Sequence, residues 1–94
     1  MPQDLIQVHA RIKGRVQGVG FRYWTQRTAE SLSLGGWVMN MPDGSVEAAF
    51  EGTREQVEKM VAAARKGPQF GKVDDIELVW RDSVGEFKEF EVRY

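Results

Sequence analysis

Apolar and polar residues alternate from the start of the chain. Ile6, Val8, Ala10 and Ile12 share one face, and Gln7, His9, Arg11 and Lys13 share the other. That period of two predicts a strand over residues 5–13, buried on one side. Residues 21–32 change period. Phe21, Trp24, Thr25, Thr28, Ala29 and Leu32 fall at helical spacing, with Gln26, Arg27 and Glu30 largely opposite. This helix is predicted to end near Ser31–Ser33, with Leu34 as a hydrophobic cap contact. Ser33 then takes the left-handed position that a glycine fills most easily, at a cost of about 1 kcal/mol. Gly35-Gly36 opens an apolar strand through Met41, Pro42-Asp43-Gly44 is a turn signature, and residues 45–50 return as a second strand. Thr53 is a helix N-cap with Gln56 at capping-box spacing, ahead of a buried stripe of Val57, Met60, Val61 and Ala64. Lys66 falls in the last turn, and Gly67-Pro68 stops this helix. Residues 73–81 form another strand, with Ile76, Leu78 and Trp80 on one face. In residues 87–94, Phe90, Val92 and Tyr94 alternate with Glu89, Glu91 and Arg93 as the last strand.

The order is βαββαβ plus a C-terminal strand. It predicts an α+β, two-layer ferredoxin-like sandwich, an antiparallel sheet with both helices on one face. With 94 residues, the expected organisation is one domain spanning 1–94. Hydrophobic residues at 41% and charged residues at 29% are ordinary for a globular chain. The formal net charge of −1 argues against a basic field for nucleic acid or a membrane surface. The absence of cysteine excludes disulfide and thiolate chemistry and suits a reducing, cytoplasmic setting. The first residues lack the basic and apolar regions of a signal peptide, and no apolar run approaches a bilayer's thickness.

Between the first strand and the first helix lies Gly14-Arg15-Val16-Gln17-Gly18-Val19-Gly20-Phe21-Arg22. Glycines allow positive φ and close approach of a ligand to the backbone. A loop that enters a helix directs unpaired N–H groups at one spot, at the positive end of the helix dipole. Arg22 adds a planar, permanently charged fork suited to phosphate or carboxylate. Residues 15–22 are therefore a candidate cradle for a small anion, beside the plainer reading of a Gly-rich turn. The spacing is neither a Walker loop nor a dinucleotide fingerprint, and a tyrosine-phosphatase loop would need a cysteine. His9, the only histidine, has no catalytic partner nearby and is expected to be a solvated strand residue. On position alone, Asn40 is a turn-adjacent residue that hydrogen-bonds local backbone.

Taken together, two segments resemble the acylphosphatase family. Ile12 through Arg22 is similar to its phosphate-loop motif, and Gly36-Trp37-Val38-Met39-Asn40, continuing through Gly44, Val46 and Gly52, is similar to its second motif. The likeness extends over nearly the whole chain. It implies hydrolysis of acyl phosphates to a carboxylate and inorganic phosphate, with no cofactor and no metal. It assigns phosphate binding to Arg22 and to backbone N–H groups along Arg15, Val16, Gln17, Gly18, Val19, Gly20 and Phe21. It assigns orientation of the attacking water to Asn40, reversing the reading from position. Met39, Met41 and Ser33 depart from the family's frequent residues, and Met41 removes a hydroxyl near the site.

An acyl phosphate is already activated, so a positioned water and charge neutralisation suffice. Asn40 cannot act as a base, but its amide can accept one hydrogen bond and donate another. The proton is then expected to pass to a substrate phosphate oxygen. Asp43 and Glu47 are rival bases by proximity in sequence, but both read as turn and strand-surface residues. The expected partners are a small acyl phosphate and inorganic phosphate, with no nucleic acid, no membrane and a monomeric chain. Two other classes remain as comparisons: a non-catalytic binding module, and an RNA-binding sheet, which would need exposed aromatics and a basic field.

Overall fold

The computed structural model describes residues 4–83 and 85–94. The elements follow in the order β1 (Leu5–Arg15), α1 (Phe21–Ser31), β2 (Gly35–Asn40), β3 (Val46–Thr53), α2 (Arg54–Lys66), β4 (Lys72–Ser83) and β5 (Phe90–Arg93). One five-stranded sheet has the order β4-β1-β3-β2-β5. The alternation in β1 sets its faces. Ile6, Val8, Ala10 and Ile12 are buried in one core with Phe21 and Ala29 of α1 and Val57, Met60, Val61 and Ala64 of α2. Both helices thus cover one face, the α+β ferredoxin-like arrangement that the periodicities predict. Inside, the Phe50 and Phe90 rings stack at 5.6 Å.

The sheet is mixed, which corrects the expectation of a fully antiparallel one. β1–β3, β1–β4 and β2–β3 are antiparallel, but β5 runs parallel to β2. The chain leaves β4 at one edge, crosses the sheet and reverses, so β5 arrives at the far edge pointing the same way as β2. β5 is also shorter than residues 87–94. The N–H groups of Glu86 and Phe87 donate to the Glu51 carboxylate at 3.0 and 2.8 Å instead of to a strand ladder.

That crossing explains a second correction. Gln7 sits on the face away from the helices, where solvent was expected, yet it is buried. Its amide donates to Glu51 and to Glu86, at 3.1 and 2.9 Å. Glu51, itself buried, also accepts from the Ser83 hydroxyl. Trp80 departs in the other direction. It points to the helix side opposite Val8, but β4 is an edge strand and leaves the indole 41% exposed.

Helix ends follow the local rules. In α2, the Thr53 hydroxyl accepts from the Gln56 N–H, and Gly67 ends the helix. In α1, Leu34 N–H donates to Ala29 and Ser33 N–H to Glu30, both at 3.0 Å, which is a Schellman ending with Ser33 at φ 60°. No described helix is long and apolar enough to cross a membrane.

Candidate active site

The loop between β1 and α1 is pinned at both ends. Val16 is fully buried and Phe21 nearly so. Between them, Gly18 and Gly20 take left-handed φ values of 75° and 76°. A Cβ at either position would meet nothing within 4 Å, so it is the backbone conformation that calls for glycine there. Gly20 is the N-cap of α1 and has no side chain to cap with. No acidic residue falls in the first turn. The leading N–H groups of α1 and its positive dipole end are therefore left for an outside acceptor.

Loop and helix open onto a cleft of about 1020 Å³. Val16, Gly18, Gly20, Phe21 and Arg22 line one side, and Asn40 lines it from β2. Asn40 is the last residue of β2 and pairs with the fully buried Val46, so it faces the helix layer. Its Oδ1 is shielded from bulk solvent and has no hydrogen-bond partner among the described residues. A buried acceptor in that state costs about 1–3 kcal/mol until something donates to it. Local backbone bonding, the reading from position alone, is not what this oxygen does.

Three loop residues stand differently. Arg15 is exposed and still belongs to β1, where it pairs with Lys72 of β4. Val19 packs on the core edge. The Gln17 side chain turns away to the β2–β3 turn, where its Nε2 donates to the carbonyls of Met41 and Ser45, each at 2.8 Å.

The rival carboxylates are accounted for. Asp43 accepts from the Ser45 hydroxyl and N–H at 2.6 and 2.9 Å and pairs with Arg11. Those donors, Ser45 first, hold its carboxyl well below the usual range. Glu47 sits opposite Arg11 on the face away from the helices, the reverse of Asn40. His9 lies on that same face, edge-on to Trp37 at 5.5 Å. Met39 shares that face, while the Met41 backbone is engaged in the turn.

Sequence reasoning missed one wall. Lys88, Glu89 and Tyr94 line the cleft from the C-terminal side, and Glu30 joins them from α1. The Arg22 guanidinium lies over the Tyr94 ring, 4.7 Å from its centroid. Nothing local in the sequence signals this, because it depends on β5 docking beside β2.

The fold and cleft define an α+β protein in which the uncapped start of α1, Arg22 and the Asn40 carboxamide line one cleft. Residues 8–92 match the sequence profile of the acylphosphatase family. The chain is 51% identical over 89 residues to an acylphosphatase of Syntrophotalea carbinolica, covering 95% of this chain and 97% of that protein. The crystal structure of the Bacillus subtilis acylphosphatase superposes with a TM-score of 0.91 at 39% identity, covering 95% and 99% of the two chains. The structure of an acylphosphatase from Coxiella burnetii gives a TM-score of 0.86 at 32% identity, covering 96% and 94% of the two chains. The chain belongs to the acylphosphatase family.

Proposed function

We propose that this family member hydrolyses the carboxyl–phosphate bond of acyl phosphates, with the 15–22 loop and Arg22 gripping the phosphoryl group and Asn40 presenting the water. The reading is carried by one observation: the uncapped start of α1, Arg22 and a shielded, unpartnered Asn40 Oδ1 share one cleft. The chemistry then requires little else. Water attacks phosphorus, the bond from phosphorus to the acyl oxygen breaks, and that electron pair leaves on the carboxylate. Asn40 Oδ1 accepts a hydrogen bond from the water and fixes its direction of approach. The water's proton passes to a phosphoryl oxygen, so no side chain has to act as a base. Loop N–H groups and the Arg22 guanidinium stabilise the charge that builds on the equatorial oxygens.

The reading extends to a monomer in the cytoplasm with no nucleic-acid partner. All the acting groups come from one chain, and the absence of cysteine and the net charge of −1 support the rest.

Release of phosphate from benzoyl phosphate tests it. Arg22→Ala is expected to abolish competitive inhibition by inorganic phosphate, with turnover down by about 100-fold or more. Asn40→Ala is expected to lose turnover to a similar degree while still binding phosphate. Activity should persist in a strong chelator. Normal phosphate inhibition in the first variant, or near-normal turnover in the second, overturns the assignment of that residue.

A further inference from the structure

We infer that Gln17 is a positioning residue, whose carboxamide fastens the phosphate loop to the β2–β3 turn and so sets where Asn40 stands. The inference rests on the role proposed for Asn40. An amide group carries two N–H donors. In Gln17 both are spent 24 and 28 residues away, on Met41 and Ser45. These acceptors close the turn itself: Met41 N–H donates to Ser45 at 2.9 Å and Gly44 N–H to Met41 at 3.1 Å. Asn40 is joined directly to Met41, so a shift of that turn moves its carboxamide. No other side-chain hydrogen bond among the described residues joins 16–20 to 41–45. The opposite side of the turn is held separately, by Asp43 through Ser45 and Arg11. The loop that grips phosphate and the strand end that carries Asn40 thus come from distant parts of the chain, and one half-buried carboxamide ties them together.

Gln17→Met keeps the length and body of the side chain and removes both donors. Its kcat on benzoyl phosphate is expected to fall about ten- to hundredfold, as for a reacting atom moved off its line of attack. Inhibition by inorganic phosphate should shift less than about threefold, because the loop N–H groups and Arg22 remain. In an Asn40→Ala background the same substitution should cost less than about threefold more, since the group it positions is gone. Gln17→Glu is the second variant and covers a Met variant that does not fold. It sets a carboxylate against two carbonyls, so its deficit should shrink as the pH falls and the protonated acid regains one donor. Loss of phosphate inhibition in parallel with kcat, or full additivity with Asn40→Ala, overturns the inference. Near-normal turnover in Asn40→Ala alone would instead remove the reading beneath it.

Discussion

Ser33→Gly is expected to stabilise the protein. Ser33 sits at φ 60°, the one non-glycine residue with positive φ among the described residues. It is held there by the ending of α1, where two consecutive N–H groups reach back to Ala29 and Glu30. A side chain in the left-handed region costs about 1–2 kcal/mol relative to glycine. Glycine gives back part of this, about 0.4–1 kcal/mol, because its unfolded chain has more freedom to lose. The net gain is about 0.5–1 kcal/mol, which in a chain of this size raises the melting temperature by roughly 3–6 °C. Thermal melts and urea titrations of wild type, Ser33→Gly and Ser33→Ala measure it. The alanine control keeps the Cβ and deletes the hydroxyl, so it should not gain. The urea slope should stay constant, because no surface is newly exposed on unfolding. Turnover should hold, since Ser33 only borders the cleft. A glycine variant that melts at or below wild type, or an alanine variant that gains as much, refutes backbone strain as the cause.

Glu51→Gln should cost about 3 kcal/mol near neutral pH, since the carboxylate serves several donors at once. Burial pushes the Glu51 carboxyl up, but Ser83, Phe87, Glu86 and Gln7 together more than offset this and leave it below its ordinary value. The stability it adds is therefore present above the unfolded value of about 4.3 and is lost as the pH falls through the lower, folded one. Denaturant midpoints of wild type and variant should converge in acid, and a difference independent of pH would exclude the carboxylate as the source. Gly36→Ala should cost at least about 4 kcal/mol. Its Cβ would stand 1.8 Å from the Ala49 carbonyl oxygen, whereas at Gly18 a Cβ meets nothing. Equal losses in Gly36→Ala and Gly18→Ala, by urea titration, would reject close approach as the reason for Gly36.

What the sequence made legible was local. Alternation in β1, the helical stripes of α1 and α2, the Thr53 cap, the turn at 42–44 and the strained Ser33 each depend on neighbours within a few positions. Physics at that range is written in consecutive residues. The misreadings share the opposite cause. Period two separates the faces of a strand but does not say what covers each face. Gln7 was expected to be wet because the crossing by residues 85–89, which also buries Glu51, leaves no periodic signal. Trp80 shares the inward face, yet only an interior strand would bury it. At the site, Arg22 and the loop glycines were visible as a pattern, while Asn40 drew notice only through resemblance. The wall of Lys88, Glu89 and Tyr94 depends on which strand lands beside β2, a choice made by the whole sheet.

The same contrast explains how so small a chain could hold the preorganised site proposed for it. Electrostatic stabilisation works when donors already stand where charge will develop, because no energy is then spent turning them. A Gly-rich loop is a poor means to that end by itself, since glycine adds conformations. Here the freedom is removed from three directions. Val16 enters the core at one end and Phe21 at the other, and the Gln17 carboxamide holds the middle against the β2–β3 turn. The two glycines between them then supply only the left-handed geometry that bends the backbone toward the start of α1. The loop's order is thus borrowed from β1, α1 and the hairpin, and two of these lenders also place a group that lines the cleft, Arg22 from α1 and Asn40 from the hairpin. Loosening any one of them should blunt catalysis before it unfolds the protein, because the global stability is spread over the whole core while the alignment of donors rests on these few attachments.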